Sequence, residues 1–375
     1  MKVLALCSYP IESAASRFRL YQFVEPLRAS GIELEIRPFL SSEQFASLYT
    51  DGQTARKAVG MLSGLRHRFA EMIFSKGFDA VIVQREAMLF GPAFVEWVFS
   101  SVRRLPMIFD LDDATFIPTK SKYYGRLASL LKAHHKADSL IRAAEVTLCG
   151  NPYIESYARS FGAKTAIMPT LVDLEVFKPA EAKDPIPVLG WIGTHSTYPM
   201  LETLFPVFER LAKEFPFVLR IVGSGAPPPA LEHTKVENLE WRLATEVQDF
   251  QNLDIGLYPL RANEFSNEAF LKGKSGFKAI QYMAVGRPFV VTPMGITEGL
   301  GREGETHLAA NSNDDWYNAL RSLLSDPEKR RTMGRAGRQY AVDNLDPRVH
   351  IETLVSAIEN SIRSKKESTR RRSAN

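Results

Sequence analysis

The sequence predicts an α/β protein with two domains, each built on a parallel sheet that helices cover on both faces. A chain of 375 residues is too long for one small core and suits two domains of ordinary size. Short apolar, β-prone runs alternate with segments of helical period in both halves. Between the halves, residues 169–187 carry four prolines and no helical period, which is typical of a linker between domains.

The composition is that of a soluble globular protein, with 45% hydrophobic and 24% charged residues. The net charge of +4 is modest, and much of the basic excess lies in residues 363–372. Cys7 and Cys149 each end an apolar run, so we expect buried, reduced thiols and no disulfide framework. No apolar run reaches the ~20 residues needed to span a bilayer, and residues 1–6 are too short for a signal-peptide core. We therefore expect a cytoplasmic protein.

In the N-terminal half, strands are predicted at residues 3–7, 34–38, 80–83, 107–109, 146–149 and 165–168. Helices are predicted at residues 17–30 and 152–161, and Gly31 ends the first of them. A long amphipathic helix is indicated by apolar residues at helical spacing, which we expect to pack in the core: Ala58, Met61, Leu62, Leu65, Phe69, Met72 and Ile73.

Ligands of such sheets bind beyond the carboxyl ends of the strands, where two pairs of charged residues are candidates. Arg17 and Arg19 follow the first strand and could meet an anionic acceptor or a phosphate, with two solvated arginines at a helix start as the alternative. Arg85 and Glu86 follow the strand at 80–83. They are either a feature of a cleft or an ordinary ion pair in a loop.

Three carboxylates, Asp110, Asp112 and Asp113, follow the strand at 107–109. They repel one another unless they meet water, a cation, N–H groups or sugar hydroxyls. Aspartate also favours turns and helix N-termini, so capping of the next segment is the alternative. We interpret the cluster as part of a site.

The C-terminal half repeats the alternation, with strands at residues 188–192, 217–222 and 238–241 and helices at 198–214 and 246–252. Gly193 and Gly223 each follow a strand, so the backbone can approach a ligand there. Thr194 and His195 follow Gly193 and could contact a phosphate or a sugar, although a solvent-facing histidine fits equally. No dinucleotide-binding fingerprint and no Walker A sequence is present.

Residues 254–295 form the stretch around which the chain is organised. A strand at 254–259 leads into a polar loop with Lys274, Ser275 and Gly276, a helix runs from there to about residue 284, and a second strand follows at 289–292. The N–H groups and the positive end of such a helix attract anions, and Lys278 shares a face with Lys274. We therefore predict a diphosphate site, with an ordinary βαβ unit and solvated lysines as the alternative.

The remaining residues predict two amphipathic helices from Asn313 and a last helix that begins at Asp346-Pro347. The predicted boundaries are 1–172 for the N-terminal domain, 173–187 for the linker, 188–345 for the C-terminal domain, 346–364 for the last helix and 365–375 for a disordered basic tail. The tail also offers a peripheral contact with the inner face of an anionic membrane, with solubilising disorder as the alternative.

Several motifs occur in an order that resembles the family 4 retaining glycosyltransferases, which have the GT-B fold. The motifs are Ile-Met-Pro-Thr-Leu-Val-Asp at 167–173, Ile-Val-Gly-Ser-Gly at 221–225 and Gly-Phe-Lys-Ala-Ile-Gln-Tyr-Met-Ala at 276–284, followed by Gly-Arg-Pro at 286–288. The resemblance covers nearly the whole chain. It implies two Rossmann-like domains that face each other across a cleft, and a C-terminal helix that crosses back.

The resemblance also implies transfer of a sugar from a nucleoside-diphosphate sugar to a hydroxyl of a carbohydrate or glycolipid, with retention, in polysaccharide or glycoconjugate synthesis. The donor site would comprise Gly193, Thr194, His195, Gly223, Glu268, Lys274, Ser275, Gly276, Lys278 and Gln281. The acceptor site would comprise Arg17, Arg19, Arg85 and Glu86, and Asp110, Asp112 or Asp113 would act in catalysis. No metal, other cofactor or nucleic acid is expected.

The chain departs from the family pattern at three places. Gly273 and Gln281 occupy the positions of the usual glutamate pair, the Arg and Lys after the first C-terminal strand are absent, and Asp110 stands where the family often has a histidine. The alternatives are therefore another GT-B enzyme, such as a nucleotide-sugar 2-epimerase, and a nucleotide-sugar-binding protein without catalysis.

Overall fold

The computed structural model describes residues 1–48, 54–118, 135–180, 186–263 and 266–374. Its contacts divide the chain into two compact units. The N-terminal unit comprises the described residues of 1–118, 135–170 and 347–374, and the C-terminal unit comprises those of 171–346. Each unit contains one six-stranded sheet in which every pair of neighbouring strands is parallel. The prediction of two α/β domains with parallel sheets is confirmed.

The N-terminal sheet has the strand order β2-β1-β3-β4-β5-β6. Its strands are β1 (Lys2–Cys7), β2 (Glu33–Pro38), β3 (Ala80–Gln84), β4 (Met107–Leu111), β5 (Val146–Cys149) and β6 (Thr165–Ile167). The central strands β1, β3 and β4 are almost entirely buried, because helices cover both faces. The helices are α1 (Ala14–Arg19), α2 (Val24–Ala29), α3 (Ser42–Leu48), α4 (Thr54–Phe74), α5 (Phe94–Trp97), α6 (Lys136–Ala143) and α7 (Pro152–Arg159).

The C-terminal sheet has the order β12-β11-β10-β7-β8-β9. Its strands are β7 (Val188–Ile192), β8 (Val218–Val222), β9 (Lys235–Leu239), β10 (Ile255–Tyr258), β11 (Phe289–Val291) and β12 (Leu308–Ala309). Its helices are α8 (Tyr198–Glu202), α9 (Phe205–Ala212), α10 (Glu246–Gln251), α11 (Glu268–Lys272), α12 (Phe277–Ala284), α13 (Asn313–Ser325) and α14 (Pro327–Asn344). One core cluster joins β7, β8 and β10 to α9 and α13 through Trp191, Phe208 and Trp316.

Two predicted helices are interrupted. The helix predicted at 17–30 is divided into α1 and α2 by a 3₁₀ turn at Tyr21–Phe23, and the helix predicted at 198–214 is divided into α8 and α9. The second helix of each pair carries a proline in its first turn, Pro26 and Pro206. Proline is tolerated there but cannot continue a preceding helix, because it lacks the N–H that would bond back.

The predicted core stripe of α4 is only partly in the core: Met72 is buried, but much of the stripe faces solvent, which corrects the sequence interpretation. Leu62, Phe69 and Ile73 are each at least half exposed. The inward face instead carries Gly64, where a Cβ would lie 2.8 Å from the Phe39 carbonyl oxygen, and the buried Arg68. Glycine lets the helix pack closely on its neighbour, so Leu62, Phe69 and Ile73 are left on the opposite side.

Part of the predicted linker belongs to the C-terminal unit. Leu174 and Phe177 are buried, and Arg338 donates from Nη1 to the Phe177 carbonyl at 2.7 Å and from Nη2 to that of Leu174 at 3.1 Å. Arg287 donates to the carbonyl of Ala180 at 2.7 Å. Prolines exclude a helical period, but an extended segment still buries apolar side chains and offers carbonyls to arginines. Residues 181–185 lie outside the described part.

The last helix, α15 (Pro347–Ala374), returns to the N-terminal unit and contacts α2, β3 and β4. It continues through residues 365–374, for which the sequence predicts a disordered tail. Lysine, arginine and glutamate have high helix propensity, so they extend a helix that apolar packing has already begun. Lys365 also lies 3.3 Å from a carboxylate oxygen of Glu145. Within the described part of the chain, no helix is both long and apolar enough to cross a bilayer.

Candidate active site

The carboxyl ends of β7 and β8 bring two glycine loops together in the C-terminal unit. Gly193 donates its N–H to the Val222 carbonyl at 3.0 Å, next to Gly223. A Cβ on Gly223, where φ is +78°, would lie 2.5 Å from the Gly193 carbonyl oxygen. A Cβ on Gly193 would lie 2.2 Å from the Trp191 ring. Both positions therefore require glycine, and their backbone lies open to a ligand at this edge of the sheet.

The loop after β7 carries the predicted hydroxyl and imidazole groups. The Thr194 and Ser196 hydroxyl oxygens are 2.9 Å apart, and both residues are exposed. His195 is half-buried beside the second loop, since a Cβ on Gly225 would be 3.7 Å from the His195 Cβ. Burial lowers the pKa of His195, so the imidazole is neutral at pH 7. It can then act as one hydrogen-bond donor and one acceptor.

The start of α12 has the geometry of an anion site. Gly276 precedes the helix with φ +65°, and a Cβ there would lie 2.5 Å from Ile296 Cγ2. As the N-cap residue it contributes no side-chain bond to the first-turn N–H groups. Lys274 Nζ lies 4.7 Å from the Phe270 ring centroid and Lys278 Nζ 5.6 Å from that of Tyr258, at the end of β10. Two cations therefore lie at the positive end of this helix.

Gln281, on the second turn of α12, is buried, and its Nε2 has no hydrogen-bond partner among the described residues. Thr292, just after β11, is also buried, and its Oγ1 likewise has no hydrogen-bond partner among the described residues. An unsatisfied buried polar atom costs about 1–3 kcal/mol, which a polar ligand would recover. Sequence reasoning missed Thr292, although a hydroxyl directly after a buried strand was the available signal.

Glu268 is exposed in the first turn of α11. A hydrogen bond from Lys272 lowers the pKa of Glu268, and the two side chains form an ion pair at 2.8 Å on the helix surface. Its contact with the donor sugar stays a prediction.

The N-terminal unit holds Arg19 and Asp110 as a buried pair, in contrast to their predicted contacts with substrate. Arg19 Nε donates to Asp110 Oδ2 at 3.0 Å, Nη2 donates to Oδ1, and Nη1 donates to the Met168 carbonyl. Both side chains are almost completely buried. Burial lowers the pKa of Arg19, but the charge of Asp110 outweighs it and raises the pKa overall. The pair joins α1 to the ends of β4 and β6, so it supports the fold, and a contact of either residue with substrate stays a prediction.

Asp112 is held by Arg85, whose Nε and Nη2 lie 2.6 and 2.7 Å from its two carboxylate oxygens. Gln84 Nε2 adds a bond at 3.2 Å. Burial would raise the pKa of Asp112, but the charge and hydrogen bonds of Arg85 lower it. Arg85 has φ +58°, which is a strained backbone conformation. Its two hydrogen bonds to Asp112 help to maintain that conformation.

Asp113 lies at the rim of this group, with its Oδ2 3.4 Å from Arg85 Nη2. Its side chain is 16% exposed, whereas those of Asp110 and Asp112 are 3% exposed. Asp113 is therefore the one of these three carboxylates that a substrate reaches most easily.

The other two predicted acceptor residues are tied to loops. Arg17 donates to the carbonyls of Ile11 and Glu12 at 3.0 and 3.1 Å. Glu86 Oε2 lies 3.8 Å from Nζ of Lys136, which is buried and also lies 3.2 Å from Glu96. The burial of Lys136 beside two glutamates was not predicted from the sequence, because a single lysine in a helix is usually solvent-exposed.

Within the described part of the chain, no three His, Cys, Asp or Glu side chains group as metal ligands would. Independence from metal stays a prediction.

Residues 186–326 match the family model described as "Glycosyl transferases group 1". No curated protein matches the sequence significantly. Solved structures match over almost the whole chain. A sucrose-phosphate synthase from Thermosynechococcus elongatus is 14% identical to this chain, with a TM-score of 0.64. The match covers 97% of this chain and 100% of the synthase. A glycosyltransferase from Rickettsia africae is 10% identical over 96% of this chain and 98% of its own, with a TM-score of 0.67.

Anabaena HepE in complex with UDP and glucose is 14% identical over 96% of this chain and 99% of its own, with a TM-score of 0.59. At these identities the similarity shows a common fold.

Proposed function

We propose that this chain, a glycosyltransferase with the GT-B fold whose residues 186–326 form a group 1 domain, moves a sugar from a nucleoside-diphosphate sugar to an acceptor hydroxyl. The proposal includes retention at the anomeric carbon and a place in polysaccharide or glycoconjugate synthesis. The observation that carries it is the start of α12 within the matched region, where Gly276 precedes the helix and Lys274 and Lys278 lie nearby, an arrangement that suits an anion. HepE, with the same fold, is known in complex with UDP and glucose, which supports a nucleotide-sugar donor here.

The donor site would stabilise the leaving diphosphate. Transfer breaks the bond between the anomeric carbon and the diphosphate oxygen, so negative charge grows on the diphosphate. Lys274 and Lys278, with the N–H groups of Ser275 and Gly276, would stabilise that charge. The backbone of Gly193 and Gly223 would lie against the donor, with Thr194 and His195 bonding its polar groups.

The amide of Gln281 would bond a hydroxyl of the nucleotide. A glutamate there would only accept hydrogen bonds, whereas Gln281 can also donate from Nε2, which is buried and has no partner among the described residues. The missing glutamate pair is therefore compatible with donor binding.

The acceptor would bind to the N-terminal unit, where Asp113 is the candidate base. Asp110 and Asp112 are each engaged by an arginine on both carboxylate oxygens, so neither is available to take a proton from a hydroxyl. Asp113 is more exposed and lies beside Arg85. Arg17 and Glu86 would contact a carbohydrate or glycolipid acceptor.

The donor site is tested by the double variant Lys274→Ala, Lys278→Ala. Thermal shift with UDP, GDP and ADP and their sugars identifies the base that the wild-type chain binds. A donor at ~100 times its dissociation constant should stabilise the fold by ~2.7 kcal/mol. The double variant should lose this shift, whereas Lys213→Ala, which changes an exposed lysine on the C-terminal side of α9, should keep it.

Turnover tests the reaction itself. Nucleoside diphosphate should be released in step with glycosylated acceptor, and the product should keep the anomeric configuration of the donor. Donor binding without release of nucleoside diphosphate, or a changed sugar without acceptor, would refute transfer. Undiminished donor binding in the double variant would refute the site.

A further inference from the structure

The outer face of the N-terminal unit carries a group of large apolar side chains on α4 and α5, which we call the α4–α5 face. Its members are each between 45% and 76% exposed: Leu62, Phe69, Ile73, Phe74, Phe94 and Trp97. A scattered exposed apolar side chain needs no explanation, but a contiguous group of large ones marks an interaction surface.

The two helices form one continuous surface. The ring centroids of Phe69 and Phe94 are 6.5 Å apart, and those of Phe94 and Trp97 are 6.0 Å apart. At the other end, Arg103 donates to the Ile73 carbonyl at 2.8 Å, which brings the exposed Val102 next to the end of α4. The aromatic rings and the aliphatic stripe of α4 therefore lie side by side.

The helix is anchored from its opposite side. Arg68 is buried and donates to the carbonyls of Ala87, Cys7 and Arg37 at 2.8, 2.7 and 2.9 Å. Together with the close packing at Gly64, these bonds fix which face of α4 turns outward. The exposed apolar stripe is thus a consequence of how the unit is built.

The charges on this face are positive. Arg66 is exposed within the stripe, three residues before Phe69, and Lys76 and Arg104 are exposed near its end. The two acidic residues of α4 and α5 are engaged inside the unit. Glu71 pairs with Arg68 at 2.6 Å, and Glu96 is buried and accepts from the Ala87 N–H.

We propose that the α4–α5 face binds the surface of a bilayer that contains anionic lipid. An amphipathic helix of 21 residues with Phe and Leu on one face and cations beside them is the pattern of helices that lie in the membrane interface. Tryptophan favours the same depth, and lysines and arginines are attracted by anionic headgroups. A second copy of the chain fits less well. If the α4–α5 faces of two copies met, the arginines and lysine of one face would lie against those of the other, and neither face offers, among its described residues, an acidic side chain to pair with them.

This inference does not depend on sugar transfer, and it differs from the contact through the basic tail that the sequence suggested. The test is co-sedimentation of the full chain with phosphatidylcholine vesicles and with vesicles that also contain phosphatidylglycerol. The chain should bind the anionic vesicles, and the fluorescence of Trp97 should shift to shorter wavelength. Of the other three tryptophans, Trp191 and Trp316 are buried and Trp241 is half-buried in the C-terminal unit, so a variant Trp97→Phe should remove most of this shift.

The triple variant Leu62→Ser, Phe69→Ser, Trp97→Ser should lower the vesicle partition coefficient by about tenfold or more. The matched control Val176→Ser, Leu239→Ser, Val342→Ser changes exposed apolar residues of the C-terminal unit and should leave it unchanged. The charge variant Arg66→Glu, Arg104→Glu, which leaves the apolar residues in place, should lose the preference for anionic vesicles. The melting temperature of each variant without ligand reports whether it is folded.

Three results would overturn the proposal. The first is that the wild-type chain stays in solution with anionic vesicles. The second is that removal of residues 365–375 abolishes binding while the triple variant still binds. The third is that the triple variant converts a dimer into a monomer in light scattering and the wild-type chain binds no vesicles, which would assign the face to a second copy.

Discussion

Replacing Arg19 by methionine should destabilise the N-terminal unit by about 3–5 kcal/mol, because it leaves Asp110 buried without its partner. The side chain of Arg19 is 0% exposed and that of Asp110 is 3% exposed. The change removes two bonds to the carboxylate and one to the Met168 carbonyl. The loss is a large fraction of the 5–15 kcal/mol that stabilises an ordinary domain.

The double variant Arg19→Met, Asp110→Leu should recover much of this stability. It removes both charges, and a buried ion pair can often be replaced by apolar side chains at little cost. The cycle formed by the two single variants and the double variant then gives the coupling energy of the pair.

Urea unfolding measures these differences, and hydrogen exchange of the β1 and β4 amides assigns them to the N-terminal unit. With a slope of roughly 1–3 kcal/mol per M urea, a loss of about 3–5 kcal/mol should lower the midpoint by about 1–5 M. Arg17→Met is the matched control on the same helix, since Arg17 donates to the loop carbonyls of Ile11 and Glu12 and is less buried than Arg19. It should cost less than about 1 kcal/mol.

The reasoning is refuted if Arg19→Met keeps the urea midpoint of the wild-type chain. If that variant also raises the KM for the acceptor, Arg19 contacts substrate, as the sequence alone suggested.

Four further outcomes are expected. Gly276→Ala should destabilise the C-terminal unit by about 1–3 kcal/mol and weaken donor binding, because φ there is +65° and a Cβ would meet Ile296 at 2.5 Å; calorimetry with and without UDP measures both. The pKa of Asp112 is lowered in the folded state, so its contribution to stability is present above about pH 4 and is lost as the pH falls through the folded pKa. The variant Asp112→Asn should lack this acid dependence of the unfolding free energy in urea titrations. The pKa of His195 is also lowered, so stability should fall as the pH drops below about 6.5, and melting temperatures of His195→Gln should lack that step. Transfer should persist in EDTA, and loss of turnover that Mg²⁺ restores would show a metal requirement.

The loops of the donor site were predictable because each depends on a few neighbouring residues. A glycine directly after a buried strand signals a close backbone approach, and the structure shows that a Cβ would clash at Gly193 and Gly223. Gly276 before an apolar helical stretch likewise signals a helix start, and the helix begins at Phe277. The contact of each lysine with substrate stays a prediction.

The orientation of α4 was not predictable from its period. Helical spacing shows that Leu62, Phe69 and Ile73 share a face, but it does not show which face turns inward. That depends on Gly64, which permits close packing against Phe39, and on Arg68, which bonds the strand ends. A buried arginine and a glycine have no apolar signal, so the pattern assigned Leu62, Phe69 and Ile73 to the core together with Met72, which is buried.

The three aspartates after β4 show why the acceptor side was harder to interpret than the donor side. Their position at a strand end was visible in the sequence, but their partners were not, since Arg19 lies 91 residues before Asp110 and Arg85 lies 27 before Asp112. Two of the carboxylates are used to hold α1 and the loop after β3 at the edge of the sheet. Since a carboxylate bonded on both oxygens by an arginine is a poor base, Asp113 is the member of the cluster that we propose as the base. An Asp113→Asn variant that binds donor but transfers no sugar would be the direct sign of that role, whereas full turnover would move the search for the base away from this edge of the sheet.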